Sequence, residues 1–200
     1  RPRWLLYRLA QSWTYPQADA AVAVSSGIAA DLELAVPALR DKICIIGNPV
    51  VTDEMQQQSE QQLQHAWLND EHVPLVLAAG RLIHVKGFDV LYAWMRHARV
   101  FVLSSRHEGL PGALIEAMAC GCRAVATDCP HGPSEILENG RWGILVGVDD
   151  ADALAQAIVK ALVSEEYPDG RIRANDYTLF KAVLAYASAM KIDLPNKIDS

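Results

Sequence analysis

The feature that most constrains this 200-residue chain is a repeated alternation of short β-branched runs with helix-length segments. The runs are LVLAA from Leu75, VFVLS from Val100, RAVAT from Arg123 and GILV from Gly143, and a Gly-rich or polar turn and a segment of helical periodicity follow them. Strands separated by whole helices cannot pair as tight hairpins. Each must return to the same end of a sheet by a helical crossover, so the fold class expected is α/β with a Rossmann-like parallel sheet. The periodicity predicts helices over Phe88–Ala98, Leu110–Ala119, residues 134–139, Asp150–Val163 and Tyr177–Met190.

The alternation occurs once earlier, as a strand Ala20–Val24, a helix capped by Ser25 or Ser26, and a strand Ile43–Ile46. Gly47-Asn48-Pro49 closes that unit, because Pro cannot continue a central strand. Residues 53–72 change character, with six Gln between Gln56 and Gln64, and read as a polar helix or linker. Arg1–Trp13 reads as an amphipathic helix in which Trp4, Leu5, Tyr7, Leu9 and Trp13 stand among Arg1, Arg3 and Arg8. The expected organisation is a first unit over 1–52, a linker over 53–72, a main sheet domain over 73–175, and a terminal helix and tail over 176–200.

With 51% hydrophobic and 21% charged residues the chain can build a core. Its net charge of -6 argues against a nucleic-acid binder that works by bulk charge. The longest nearly apolar run, AAVAVSSGIAA, is short of a membrane span and no signal-peptide pattern opens the chain, so a soluble, cytoplasmic protein with its four Cys reduced is expected.

In open α/β sheets ligands bind at the carboxyl ends of the strands, which directs attention to the loops after residues 79, 104 and 127. The first, GRLIHVKG, lacks the ending of a phosphate-binding P-loop, and no G-x-G-x-x-G occurs. Charge is concentrated instead: residues 81–107 hold five Lys/Arg against one acid, Asp89. Arg81 and Lys86, in one strand-end loop, suit a pyrophosphate, or they are a solvated loop. The second loop, Ser104 to Gly112, has Pro111 suited to a helix's first turn, so the free amides near Gly109 to Gly112 favour an anion. Glu108 and Glu116 flank this helix start, and a carboxylate accepts from two adjacent sugar hydroxyls. Taken singly, Glu108 also reads as an acid complementing a helix dipole and Glu116 as a surface residue. Cys120, Cys122, Cys129 and His131 match zinc by count only. A strand over 123–127 would hold Cys122 and Cys129 about 17 Å apart, too far for one ion. His84, His97, His107 and His131 form no hydrolase constellation.

The string GRL followed by KGFDVL, then VFVLSSRHEGLPGALIEAMACGC, then AVATDCPHGPSEIL, resembles the nucleotide-binding half of retaining glycosyltransferases of family 4, over about residues 74–163. The resemblance implies a GT-B fold, with residues 1–52 matching the tail of an acceptor domain and the last helix matching one that crosses back onto it. It implies transfer of a sugar from a UDP- or GDP-sugar to a glycan or lipid-linked acceptor, with retention, in glycan or polysaccharide biosynthesis. Arg81 and Lys86 would bind the donor diphosphate, Glu108 would approach the sugar hydroxyls, Gly80, Gly109, Leu110 and Pro111 would contact the donor, and Glu116 would hold the ribose. No metal is implied, because fixed cations and a helix N-terminus carry the leaving-group charge. The opening helix reads first as packing within the acceptor half, and second as peripheral contact with the inner face of a membrane. Two departures stand out: KGFDVL runs into YAWMRHARVFVLSS without the family's intervening strand-helix-strand stretch, and Arg123 occupies a position where Pro is usual. A non-catalytic nucleotide-sugar-binding fragment is the alternative reading.

Overall fold

The computed structural model describes residues 13–68, 70, 72–78 and 88–193. The opening helix expected over 1–13 falls outside these residues except for Trp13, as does the loop from Gly80 to Gly87. Two parallel sheets are present among the described residues. In the smaller, β1 (Ala21–Ala23) pairs with β2 (Ile43–Ile45), and α1 (Ser26–Ala35) connects them. Ser25 is the N-cap: its extended backbone lets Oγ accept from Ile28 N at 3.3 Å.

The larger sheet holds β3 (Val76–Ala78), β4 (Val100–Leu103), β5 (Arg123–Thr127) and β6 (Gly143–Val146), all parallel and in chain order. The crossovers are α3 (Phe88–His97), α4 (Gly112–Ala119) and the single turn α5 (Pro133–Ile136). α6 (Ala151–Val163) follows β6. β4 is buried at every position, and its side chains alternate between two cores. Phe101 and Leu103 join Met95, Leu114, Ile115 and Met118 on one face, while Val100 and Val102 pack with Val125, Val146, Ala157 and Ala161 on the other. The period of two in the strand is what divides the core. Ala157 and Ala161, one turn apart on α6, present small side chains to the sheet and so let the helix lie close against it.

Several boundaries differ from those the sequence predicts. The helix expected from Leu110 begins at Gly112, because Pro111 has an extended backbone (ψ 96°) and is itself the N-cap. The helix expected over 134–139 is one turn ending at Ile136, since Glu138, Asn139 and Gly140 all take positive φ and turn the chain away. The last helix, α8 (Leu179–Ala189), starts two residues after Tyr177, with Thr178 as N-cap. A short helix, α7 (Gly170–Ala174), was not foreseen. The polar stretch forms α2 (Asp53–Ser59) and a single 3-10 turn at Ala66–Leu68, and Met55 of α2 is buried in the main core.

Arg123 has a structural role in place of the usual Pro. Its Nη1 donates to Ala161 O at 2.6 Å and Ser164 O at 2.7 Å, so a guanidinium satisfies the terminal carbonyls of α6 at the negative end of the helix dipole. The guanidinium also lies over the Tyr167 ring, 5.2 Å from its centroid.

Among the described residues, a backbone junction ties the chain after the large sheet to the first unit. Val50 N and Val51 N both donate to Tyr177 O, at 2.9 and 3.0 Å, and Val51 forms a parallel bridge with Thr178.

β6 also depends on a missing side chain. A Cβ at Gly143 would stand 2.6 Å from Ala124 O and 3.0 Å from Leu137 Cδ2, where neither backbone nor core can give way. At Gly147 it would meet only Asp150 Cβ, at 3.8 Å. Gly143→Ala is therefore expected to lower unfolding free energy by about 1–3 kcal/mol, and Gly147→Ala to stay within about 0.5 kcal/mol, in urea titrations.

Candidate functional site

The carboxyl end of β4 opens into the loop 104–111, which leads straight into α4. Half-buried Glu108 sits midway along it and accepts a 2.6 Å hydrogen bond from Ser105 Oγ. The backbone of Ser105 is held in turn by the neighbouring strand: Thr127, the last residue of β5, donates its hydroxyl to Ser105 O at 2.5 Å, with Leu103 O 3.3 Å away. Glu108 is not the cap of α4; that position belongs to Pro111, which has no side chain to offer the first amides, and the first turn contains no acid. Among the described residues no side chain caps this helix start, which is the positive end of its dipole.

Glu116 lies on α4, half-buried, and accepts from the Tyr92 hydroxyl of α3 at 3.2 Å. Burial raises its pKa, with the Tyr92 hydrogen bond opposing that shift. Burial and, after it, the Glu116 charge push the Tyr92 phenol upward. The same two causes take the Cys120 thiol to about 11. The Glu108 loop and Glu116 therefore stand at the N-terminal end and on the body of one helix, as expected. Arg81, Lys86 and Gly80 lie outside the described residues.

The first unit closes over this edge. The Glu135 carboxylate accepts from Ser26 N at 2.7 Å and Ser26 Oγ at 2.5 Å, at the N-terminus of α1. His131 Nε2 is 2.9 Å from Asp31 Oδ2. Gly109 faces Ile28 and Leu110 faces Gly47, so both residues expected to contact a donor sit at the seam. The sequence reading missed Ser105, Thr127, Tyr92 and Glu135. Only Ser105 had a local signal, the Ser-x-x-Glu spacing that lets a hydroxyl reach a carboxylate three residues on.

The cysteines are accommodated separately. Cys122 Sγ donates to Met95 O at 2.8 Å and Cys120 Sγ lies 3.8 Å from Tyr92 O, both on α3, while buried Cys129 follows β5. Among the described residues no group of three or more His, Cys, Asp and Glu could hold a metal ion, and no helix is long and apolar enough to cross a membrane.

The buried carboxylate has a measurable consequence. Because the folded-state pKa of Glu116 is raised, the folded chain binds more protons than the unfolded one between the two pKa values, so ionisation costs stability. The cost is absent below the unfolded-state pKa and complete above the folded one. Glu116→Gln should raise the thermal midpoint near pH 7, and the gain should shrink as the pH falls through the carboxyl range, about 4 for a free Glu. A gain that stays constant with pH would assign the effect to packing instead.

The glycosyl transferases group 1 family matches residues 28–164. An N-acetylgalactosamine-N,N'-diacetylbacillosaminyl-diphospho-undecaprenol 4-alpha-N-acetylgalactosaminyltransferase of Campylobacter jejuni is 30% identical over 126 residues, 62% of this chain and 30% of that protein. The crystal structure of a glycosyltransferase from Rickettsia africae matches with a TM-score of 0.69 and 16% identity, covering 96% of this chain and 69% of the other. Anabaena HepE, solved in complex with UDP and glucose, matches with a TM-score of 0.61 and 16% identity, covering 92% of this chain and 65% of the other. The chain spans about a third or less of the length of the curated relatives it matches first. Because the family pattern runs from within α1 to the end of α6, through the Glu108 loop and all of α4, the chain belongs to the group 1 glycosyl transferases and has their GT-B architecture.

Proposed function

We propose that the chain provides the donor half of a retaining, family 4 glycosyltransferase that moves a sugar from a UDP- or GDP-sugar to a glycan or lipid-linked acceptor. The observation that carries this reading is the placement of Glu108 in the loop at the carboxyl end of β4, directly before an uncapped helix N-terminus, with Glu116 on that same helix. A nucleoside diphosphate sugar has the matching chemistry: an anion for the helix start, and two sets of sugar hydroxyls for two carboxylates. Glu108, Arg81 and Lys86 act on the sugar and diphosphate, Gly80, Gly109, Leu110 and Pro111 line the donor, and Glu116 holds the ribose. Fixed cations and helix amides stabilise the departing diphosphate, which makes a metal unnecessary.

The Campylobacter relative, by its name, acts on a diphospho-undecaprenol, and the Anabaena neighbour was crystallised with UDP. Both support a nucleotide-sugar donor and an acceptor carried on lipid or glycan. A lipid-linked acceptor would be met in the cytoplasm, at the inner face of the membrane. Arg1, Arg3 and Arg8 are few for an electrostatic anchor, which favours packing of the opening segment against an acceptor domain over membrane contact.

Isothermal titration of the chain with UDP and with GDP tests the donor reading. One of the two diphosphates is expected to bind, and Arg81→Ala to weaken it about tenfold or more, since a charged hydrogen bond contributes on the order of 1.5–3 kcal/mol. Affinity unchanged by Arg81→Ala would overturn the diphosphate assignment. Binding of donor without transfer would favour a non-catalytic nucleotide-sugar-binding protein. Co-sedimentation with vesicles that rises with their content of anionic lipid would support the membrane contact; no such dependence would remove it.

A further inference from the structure

We infer that Ser105 and Thr127 are positioning residues that fix the Glu108 carboxylate for the donor sugar, Ser105 by holding the side chain and Thr127 by holding the backbone that carries Ser105. The inference rests on the reading of Glu108 as a sugar contact. A glutamate on a loop has freely rotating side-chain bonds, and fixing a long side chain costs rotamer entropy. A group that must meet hydroxyls within about 0.5 Å has to be fixed before the ligand arrives.

The structure supplies that restraint at successive levels. Ser105 Oγ–H donates to Glu108 Oε1 at 2.6 Å, while Oε2 takes no hydrogen bond among the described residues. One oxygen is therefore anchored and the other is left to accept from a ligand. The anchor is itself anchored, because Thr127, 5% exposed, reaches its hydroxyl across from β5 to Ser105 O at 2.5 Å. The far side of the loop is braced by Gly132, whose φ of +76° brings the β5–α5 loop so close that a Cβ there would lie 3.1 Å from Gly109 O and overlap Pro111 Cδ. Glu108 is thus flanked on both sides by backbone that β5 and its following loop hold in place. Cys129, also in that loop, feels the Glu108 charge, which together with burial pushes its thiol upward.

A purely structural role and a positioning role separate in ligand binding: the first changes how much of the chain is folded, the second how tightly the folded chain holds the sugar. The readout is the ratio of two affinities on one protein: UDP against UDP-glucose, UDP-galactose, UDP-N-acetylglucosamine and UDP-N-acetylgalactosamine, and GDP against GDP-mannose. Because both ligands are titrated into the same folded population, partial loss of stability cancels from the ratio. For the sugar that tightens binding to the unaltered chain, Ser105→Ala should reduce the ratio by at least about threefold, and Ser105→Thr, which keeps the hydroxyl, should restore it. Thr127→Val, which keeps the shape but not the donor, should act in the same direction, and Thr127→Ser should recover the ratio. If Glu108→Ala abolishes the sugar's contribution while Ser105→Ala and Thr127→Val leave it intact, the positioning role is overturned and the sugar contact stands. If Glu108→Ala leaves it intact too, or if no sugar in the set tightens binding, the sugar contact itself is overturned and the positioning role with it.

Discussion

The central strand β4 is the element on which the rest depends. It is buried on both faces, paired on both edges, and contributes Phe101 and Leu103 to one core and Val100 and Val102 to the other. A strand enclosed in this way cannot shift by one residue without exchanging its two sets of side chains between cores that differ in shape. Its carboxyl end is therefore one of the most firmly located points in the molecule. The loop that carries Glu108 begins there and inherits that position. Thr127 extends it by linking β5 to the loop through a side-chain hydroxyl rather than through the ladder.

The helix that follows shows what such a site costs. α4 begins on a proline that cannot cap it, so its first amides forgo the side-chain acceptor that α1, α2 and α6 each receive from Ser25, Thr52 and Asp150. Glu116 is placed where burial disfavours its charge, and Tyr92 compensates in part. Both features weaken folding. Stability lost here is supplied elsewhere, by the close packing of Leu114, Ile115, Ala117 and Met118, the apolar side of the same helix.

The two sheets meet at the side of this site, through hydrogen bonds and through the packing of Val51 in the main core. Glu135 serves as a second acceptor at the start of α1, beyond the Ser25 cap, and it comes from the other unit. The His131–Asp31 contact and the two amides on Tyr177 O complete the seam.

Sequence alone determined the sheet and the order of its main elements, because period two and period 3.6 are local properties of the chain. RAVAT and GILV coincide with β5 and β6 to the residue. It also located Glu108 and Glu116 beside one helix start, since that spacing is short. Element ends were less legible: Pro111, Glu138 and Asn139 set them through backbone angles that composition does not encode. Met55 carried no sign that a glutamine-rich stretch would send a side chain into the main core. The partners of the site came from the tertiary structure. Thr127 and Ser105 are 22 positions apart, Tyr92 and Glu116 are 24 apart, and Glu135 and Ser26 are 109 apart. Such pairs exist only after strands have been laid side by side in register, because a hydrogen bond requires donor and acceptor within about 3 Å. Nothing in the local pattern of either residue specifies the distance to the other.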